Sequence, residues 1–382
     1  MIIDAMKILY SCLSKSWGGM EMYTLTAVRQ LLKRNITVEL LCAEESRIHI
    51  EANNFGLIVH PLKISWLSNA SNVLRLASLI RRSKYNLIHT QASFDLWLLV
   101  PALKLLQSNI PLMLTKQVGS FIIKKDILHK WIYTRLTYAL AISTTIKKNL
   151  IDTCPLPEKK VLLLHNGIDT NRFNPEKVDA QKIRNEFMIT EQEILIGMMA
   201  RFSPGKGHEE FLYAASELNK KYQSLKFIIV GEPSRGENSY AESIKKQASD
   251  YQLNNLIFAG FRSDTPDVLA ALDIFVFPSH AEAFGIALAE AMAMGKPSIC
   301  SNAEGILDIA IDKETSLLFE NKNAQDLTKK ISRLIESLDL RQSFSIMARK
   351  RAIEYFDLEK LTDKVVEIYK KAIGNTNPVP LE

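Results

Sequence analysis

A chain of 382 residues with 47% hydrophobic and 24% charged residues is typical of a globular protein and is long enough for two domains. The net charge is only +6 and no recognised nucleic-acid module occurs, which argues against a nucleic-acid partner. The longest apolar stretch, residues 96–106, is interrupted by Pro101 and Lys104 and is too short to span a bilayer.

The ends of the chain and its cysteines bear on location. The start, MIIDAMKILYS, has an acid at Asp4 and no basic leader, so we interpret it as leading into a buried strand and not as a signal peptide. The four cysteines have no CxxC or zinc spacing, which favours reduced thiols in a cytoplasmic protein. Residues 374–382 are predicted to be a tail.

In the first half of the chain, short apolar segments alternate with helical ones such as Met20–Lys33 and Ser68–Arg82. The predicted strands are Lys7–Ser11, Thr37–Cys42, Leu87–His89, Pro111–Thr115, Tyr138–Ile142 and Val161–Leu164. The second half repeats this alternation. Its predicted strands are Ile194–Ala200, Lys226–Val230, Leu256–Ala259, Ile274–Pro278 and Ser298–Ser301.

Short apolar strands between longer helices indicate parallel sheets covered on both faces. We therefore predict an α/β fold with two doubly wound, Rossmann-like domains facing across a cleft. The turn-rich segment Asn166–Pro175 is the predicted linker. The first domain would cover residues 1–170 with a returning helix at about 357–373, and the second residues 171–356. In such sheets, ligands bind at the carboxyl ends of the strands.

The first loop with binding character is Ser14–Gly19, which follows the first strand and opens a helix. Gly18 and Gly19 would let backbone N–H groups face an anion. The segment is no GxGxxG fingerprint, so a nicotinamide site is not indicated. Two glycines also serve simply to make a turn, and both interpretations stay open.

Charge is unevenly placed along the first half. Between Ser71 and Lys160 there are 14 Lys and Arg against 4 Asp and Glu, an excess of +10. This excess suggests an anionic membrane surface or a phosphate-bearing acceptor, although solvated helix faces would also explain it. One stretch mixes apolar and basic residues as an interfacial helix does, although its apolar side chains could equally pack on the sheet. That stretch contains Ile122, Ile123, Lys124, Lys125, Leu128, Lys130 and Trp131.

Three charged or titratable residues lie at the end of a predicted strand or just after it. His89 ends the strand Leu87–His89, where a catalytic group is expected, although a lone His more often has a structural role. Arg201 and Lys206 follow the strand Ile194–Ala200 in ARFSPGKGHEE. A guanidinium fork with an ammonium suits a diphosphate. The segment is not a P-loop, because Gly207 and not Ser or Thr follows Lys206.

The segment PSHAEAFGIALAEAMAMG, residues 278–295, is the most informative in the chain. It places Glu282 before a Phe284-Gly285 turn and Glu290 about one turn inside a predicted helix, Ile286–Met294. A helix N-terminus suits phosphate or sugar hydroxyls, and a carboxylate one turn in can accept two hydrogen bonds from a ribose diol. Either acid alone could be a solvated surface residue. The apolar surroundings of Glu290 favour a ligand, because a buried Glu needs a partner.

Taken together, these blocks resemble the retaining glycosyltransferases of family 4, which have the GT-B fold. The last block, Asp273–Pro297, is highly specific for that family. The others are GGME at Gly18–Glu21, LIHTQ at Leu87–Gln91, AIS at Ala141–Ser143, HNGIDTNRF at His165–Phe173, ARFSPGKG at 200–207, IIVGE at Ile228–Glu232 and FAGF at Phe258–Phe261.

The resemblance implies roles for individual residues. Arg201 and Lys206 would neutralise the leaving diphosphate, Glu290 would hold the ribose, and Glu282 would contact the donor sugar. The expected catalytic set is Arg201, Lys206, Glu282 and His89. The expected donor-binding set is Gly18, Gly19, Gln117, Arg201, Lys206, Glu282, Ala283, Phe284, Gly285, Ile286 and Glu290. Many relatives carry a His where this chain has Gln117, which can only hydrogen-bond.

The expected function is transfer of a sugar, with retention, from a nucleoside-diphosphate sugar to a glycan or lipid-linked acceptor. A UDP-sugar is favoured over GDP-mannose, and the expected process is synthesis of cell-surface polysaccharide or lipopolysaccharide. No DxD pair occurs, so we expect no metal and no other cofactor. The expected location is cytoplasmic, with peripheral contact at the inner membrane face. The alternatives are a sugar-nucleotide 2-epimerase of similar fold and a non-catalytic sugar-binding protein.

Overall fold

The computed structural model describes residues 6–65, 69–234 and 236–374. The chain divides into two compact units. The first runs to His165 and resumes at Glu359, and the second is Asn166–Leu358. The sequence placed these divisions at 170/171 and 356/357. Of the predicted tail, only Gly374 lies among the described residues, and Ser68 of the predicted helix lies outside them.

The first unit contains a seven-stranded parallel sheet in the order β3-β2-β1-β4-β5-β6-β7. Its strands are β1 (Lys7–Cys12), β2 (Thr37–Ala43), β3 (Ile58–Leu62), β4 (Leu87–Thr90), β5 (Leu112–Lys116), β6 (Tyr138–Ala141) and β7 (Val161–Leu163). The central strands are buried along most of their length because they carry apolar side chains on both faces.

Among the described residues of this unit, seven α-helices connect or cover its strands. They are α1 (Gly19–Leu32), α2 (Arg47–Asn54), α3 (Asn69–Ser83), α4 (Leu96–Leu105), α5 (Ile127–Tyr133), α6 (Thr144–Thr153) and the terminal α15 (Leu358–Gly374). The terminal helix contributes Ile368, Tyr369 and Ala372 to the same hydrophobic core as β1 and α1. This last described helix therefore packs on the first sheet.

The second unit contains a six-stranded parallel sheet in the order β10-β9-β8-β11-β12-β13. Its strands are β8 (Ile194–Met199), β9 (Leu225–Val230), β10 (Leu256–Gly260), β11 (Ile274–Phe277), β12 (Ser298–Ser301) and β13 (Ser316–Phe319). Its helices are α7 (Ala180–Glu186), α8 (His208–Asn219), α9 (Asn238–Asp250), α10 (Thr265–Ala271), α11 (Ile286–Ala293), α12 (Ile306–Ile309), α13 (Ala324–Glu336) and α14 (Leu338–Tyr355). The core of this unit is built from β8, β9, β11, β12 and β13 together with α8, α9, α13 and α14.

The predicted α/β class with two doubly wound parallel sheets is confirmed. β3 and β13 were not predicted from the sequence, and both are edge strands. β3 has the sequence IVHPL, and Pro61 inside it is a residue that sheets tolerate mainly at an edge. β13 has only four residues. None of the helices in the described residues combines the length and the hydropathy needed to cross a membrane.

Candidate functional site

The loop after β8 lies directly against the end of β11. Gly207 has φ of +79°, and a Cβ placed there would come within 2.2 Å of the Pro278 carbonyl oxygen. The His280 N–H also donates to the Gly205 carbonyl oxygen at 2.8 Å. Only glycine permits this approach, which brings the two segments that the sequence analysis selected to one edge of the second sheet.

Lys206 and Glu282 form an ion pair at this edge. The Lys206 Nζ lies 2.6 Å from the Glu282 Oε1, and the two side chains are 23% and 18% exposed. The residues are 76 positions apart in the chain. The pair holds an ammonium group in a fixed place while leaving part of its surface open. An arriving anion could therefore bind it without first ordering a free side chain.

Arg201 is exposed, and its guanidinium donates to the Ser234 Oγ at 2.7 Å. The Glu237 carboxylate accepts from the Ser203 hydroxyl at 2.5 Å and from the Ser234 N–H at 3.3 Å. The Ser203 hydrogen bond is the main cause that lowers the pKa of Glu237. Ser234 and Glu237 were not among the predicted site residues. Their one signal was their place just after β9, the strand next to β8.

The turn from Glu282 to Ile286 is rigid. Gly285 caps α11 at φ of +106°, a conformation that disfavours other residues. The Gly305 N–H donates to the Glu282 carbonyl oxygen at 3.0 Å, and a Cβ on Gly305 would lie 2.4 Å from the Ala283 carbonyl oxygen. The Phe284 side chain is 2% exposed, so the first turn of α11 offers mainly backbone groups to a ligand.

Glu290 lies one turn inside α11 and is half-buried. Desolvation raises its pKa to about 7, and the charge of Arg172 opposes this shift. Within the described part of the chain, no hydrogen bond to the Glu290 carboxylate is found. The carboxylate therefore has unused acceptor capacity, as the ribose hypothesis requires.

In the first unit, Gly18 and Gly19 lie at the start of α1 as predicted. The Gly18 N–H donates to the Glu21 Oε2 at 2.9 Å, so one amide of this N-terminus already has an anionic partner. The preceding loop is held by the buried Asp95, which accepts from the Ser11 hydroxyl at 2.5 Å and from the Leu13 N–H at 3.3 Å. The glycines thus end a loop whose start is fixed to Asp95, in the segment between β4 and α4.

His89 is wrongly placed in the predicted catalytic set. Its side chain is 1% exposed, and burial lowers its pKa to about 3. Its Nδ1 lies 2.5 Å from the Tyr369 hydroxyl and its Nε2 lies 2.8 Å from the Thr115 hydroxyl. Both ring nitrogens are therefore engaged inside the core. His89 joins β4 to β5 and α15, which is a structural role.

Gln117 follows β5 and is 7% exposed. Its Nε2 donates to the Gln91 Oε1 at 2.8 Å, and the Gln91 amide donates in turn to the Tyr10 hydroxyl. The structure thus places Gln117 at the carboxyl edge of the first sheet, in a chain of neutral hydrogen bonds. Arg201, Lys206, Glu282 and Glu290 lie in the second unit, and Gly18, Gly19 and Gln117 lie in the first.

Comparison with known families agrees with this arrangement. A family model described as Glycosyltransferase Family 4 matches residues 17–172, and one described as Glycosyl transferases group 1 matches residues 179–351. The chain belongs to the family 4 glycosyltransferases of GT-B fold. Each model covers most of one unit, so membership applies to both halves of the chain.

Two relatives with assigned names are similar to this chain. One is the N,N'-diacetylbacillosaminyl-diphospho-undecaprenol alpha-1,3-N-acetylgalactosaminyltransferase of Campylobacter jejuni, 31% identical over 224 residues. That match spans 58% of this chain and only 57% of the relative. The other is the UDP-Gal:alpha-D-GlcNAc-diphosphoundecaprenol alpha-1,3-galactosyltransferase of Escherichia coli, 25% identical over 392 residues, covering 97% of this chain and 98% of the relative.

Solved structures share the fold. A glycosyltransferase from Rickettsia africae superposes with a TM-score of 0.89 at 23% identity, covering 98% of this chain and 100% of the other. The Anabaena HepE protein, crystallised with UDP and glucose, superposes with a TM-score of 0.79 at 21% identity and covers 95% and 99% of the two chains. At these identities the likeness establishes the fold alone.

Proposed function

We propose that this protein is a retaining glycosyltransferase that moves a sugar from a nucleoside-diphosphate sugar to a glycan or lipid-linked acceptor in surface-glycan synthesis. The observation that carries the proposal is the edge of the second sheet, where Arg201, the Lys206–Glu282 pair and the open carboxylate of Glu290 belong to one unit. A diphosphate, a sugar and a ribose need these three kinds of group.

In this proposal the two basic residues stabilise the leaving diphosphate. The bond between the anomeric carbon and the diphosphate oxygen breaks, and the acceptor oxygen forms its bond on the same face of the sugar. The acceptor's proton passes to the departing phosphate oxygen. Arg201 and Lys206 are fixed before the ligand arrives, so they stabilise the developing negative charge with little reorganisation. This electrostatic role is the reason why we propose that no metal takes part.

A UDP-sugar is the proposed donor. The Escherichia coli relative is named for UDP-Gal, and HepE was crystallised with UDP and glucose. Both named relatives act on a diphosphoundecaprenol-linked glycan, which supports a lipid-linked acceptor.

The first test concerns the donor diphosphate. Replacing Arg201 or Lys206 by Ala should each cost about 1.5–3 kcal/mol of UDP binding, because one charge-assisted hydrogen bond is lost. That loss is roughly a 10- to 150-fold weaker affinity. Isothermal titration of UDP into wild type and the two variants measures it. Lys245→Ala, which removes an exposed lysine on α9, is the matched control and should bind UDP as wild type does. UDP affinity unchanged by both substitutions at the site would refute the assignment.

An anionic membrane surface is the second proposed partner, and the segment 118–131 supports it. Seven large apolar side chains of this segment are exposed, at 43% or more. They are Val118, Phe121, Ile122, Ile123, Ile127, Leu128 and Trp131. The alternative that they pack on the sheet is therefore wrong. Only the last three belong to a helix, α5, so the surface is a loop followed by a helix.

The surface continues onto α4 and is basic. Trp97 of α4 is 39% exposed, and its ring lies 5.3 Å from the His129 ring. Lys124, Lys125 and Lys130 lie among the apolar side chains. An exposed apolar patch with a basic surround suits an anionic bilayer better than a neutral protein groove, since lipid headgroups supply the complementary charge. We call the exposed apolar and basic side chains of residues 118–131 the 118–131 surface.

Vesicle binding tests this surface. Each Lys near an anionic bilayer contributes about 1 kcal/mol, so Lys124→Glu with Lys125→Glu should abolish binding to anionic vesicles at low salt. Ile122→Ser with Ile123→Ser should weaken it as well. The control is Lys370→Glu with Lys371→Glu, an exposed pair on α15 of the same unit. Equal co-sedimentation of all variants would contradict the proposal. It would also be contradicted if the wild type did not bind vesicles but formed a dimer that Ile122→Ser with Ile123→Ser dissociates.

A further inference from the structure

Three partly or largely buried lysines differ in which groups compensate their positive charge. The Lys296 Nζ donates to two carbonyl oxygens, of Ala270 at 2.6 Å and Leu272 at 2.9 Å. The Lys160 Nζ donates to the carbonyl oxygen of Leu136 at 2.6 Å. Both are therefore anchored at the ends of helices or turns, where carbonyl groups carry partial negative charge.

Lys116 lacks such an anchor among the described residues. It ends β5 and is 9% exposed, yet within that part of the chain its Nζ donates only to the Ser93 Oγ at 3.0 Å. No acidic side chain in the described residues lies within 4 Å of it. Burial lowers its pKa to about 8, and the positive charge of Lys124 lowers it further. A buried ammonium with one hydroxyl partner is costly, and a second cation nearby increases that cost.

The surroundings of Lys116 indicate which kind of ligand could compensate its positive charge. Lys116 is followed by Gln117 and then by Val118 of the 118–131 surface, and Ser93 precedes the exposed Phe94. Two cations thus lie beside a surface that is apolar enough to enter a bilayer. An amphiphile with a charged head and an apolar tail matches both features. A phosphate head group carries negative charge that two ammonium groups can balance, and Lys binds phosphate as a point charge.

We propose that Lys116 and Lys124 bind the phosphate or diphosphate group of a lipid-linked acceptor at the carboxyl edge of the first sheet. The identification of this ligand as the acceptor rests on the proposed function. The binding site itself is tested separately from the donor site. Lys116 and Ser93 belong to the first unit, whereas Arg201 and Lys206 belong to the second.

The experiment measures binding of farnesyl diphosphate in neutral vesicles to the full chain. Lys116→Met should weaken binding at least tenfold, and Lys116→Arg should retain part of it. Lys104→Met, which removes an exposed lysine on α4 of the same unit, is the control and should bind as wild type does. Farnesol and inorganic diphosphate separate the two parts of the ligand, and each should bind more weakly than farnesyl diphosphate.

Stability separates a ligand-binding lysine from a structural one. At pH 7 the ammonium is charged in both the folded and the unfolded protein, so its burial destabilises the fold. Lys116→Met removes that cost and should raise the thermal midpoint while it weakens ligand binding. A structural lysine would give a lower midpoint.

The pH dependence provides another arm. The groups that face Lys116 are Lys124 and Cys154, with Tyr133 interacting with Ser93. Because the folded pKa of Lys116 is about 8, affinity for farnesyl diphosphate should fall as pH rises through 8 in wild type, and this fall should be absent in Lys116→Met.

Some results would overturn the inference. A lower midpoint for Lys116→Met with unchanged affinity would make Lys116 structural. Equal affinity for farnesol and farnesyl diphosphate would show that the site does not recognise the phosphate. Equal affinity for inorganic diphosphate and farnesyl diphosphate would show that it does not recognise the lipid chain. UDP binding to wild type is measured in parallel. Its absence would refute the proposed function and leave the farnesyl diphosphate result to decide this site alone.

Discussion

Glu290 is the residue whose chemistry depends most on its surroundings. Desolvation raises its pKa to about 7, so near neutral pH it exchanges between a carboxylic acid and a carboxylate. The carboxylate offers both of its oxygens as acceptors to a ribose diol, whereas in the protonated acid one of them carries a donor hydrogen. The protonation state of this one side chain is therefore expected to control nucleotide affinity.

UDP affinity should rise between pH 6 and pH 8 more in wild type than in Glu290→Gln. The terminal phosphate of UDP also titrates near this range, but it does so equally in both proteins, so the difference between the two curves reports Glu290. The raised folded pKa also means that Glu290 costs stability as pH rises from about 4.5 to 7, and Glu290→Gln should be more stable than wild type at pH 8.

Calorimetric titrations of UDP and 2′-deoxy-UDP across this pH range test the assignment. Wild type should discriminate against the deoxy compound, and Glu290→Gln should discriminate less. Identical discrimination by both proteins would show that Glu290 does not contact the ribose 2′-hydroxyl.

The residue types of the site could be predicted from the sequence, but their partners could not. Lys206, Glu282 and Glu290 stand beside glycines and predicted helix starts, which are local signals. The contact of Lys206 with Glu282 depends on a loop that reaches the next strand of the sheet. His89 was misassigned because its partner Tyr369 lies 280 positions away, and nothing near His89 in the sequence reveals it.

At the scale of elements, the loop after β8 depends on one glycine. Gly207→Ala should destabilise the second unit, because its Cβ would lie 2.2 Å from the Pro278 carbonyl oxygen and because φ is +79°. Positive φ alone costs an alanine about 1–2 kcal/mol. The contact adds to that, and the displaced loop should also weaken UDP binding.

Gly236→Ala is the control for this substitution. Gly236 also has positive φ, +91°, but nothing lies within 4 Å of a Cβ placed there. Thermal unfolding of the two variants should therefore show a larger loss for Gly207→Ala. Equal losses would mean that the close approach of the two loops contributes nothing beyond the backbone conformation.

Elements were predictable where hydrophobic pattern and end signals agreed. Helix α11 was predicted to within one residue, because Gly285 and Gly295 bracket a run of good helix formers. The buried central strands follow from their apolar runs. The two missed strands, β3 and β13, lie at sheet edges, where a strand can be short or contain proline without losing its one neighbour.

At the scale of the whole molecule, the alternation of strands and helices was enough to predict two parallel sheets. The division between the units was harder, because the polar segment that looked like a linker packs into the second unit. Ile168 and Phe173 are buried there, and the Ile168 N–H donates to the Phe356 carbonyl oxygen at 2.8 Å. A segment without hydrophobic period can still be fixed by backbone hydrogen bonds to a distant part of the chain.

The most direct test of the account is a time course of sugar transfer in the presence of excess EDTA. UDP-sugars are supplied with and without a polyprenyl-diphosphate glycan in anionic vesicles, and UDP release and the configuration of the new bond are followed together. We predict UDP release that requires the acceptor, a product with the donor's anomeric configuration, and loss of turnover in Arg201→Ala. Epimerised donor formed without acceptor, or turnover that EDTA abolishes and Mg²⁺ restores, or an inverted product would contradict it.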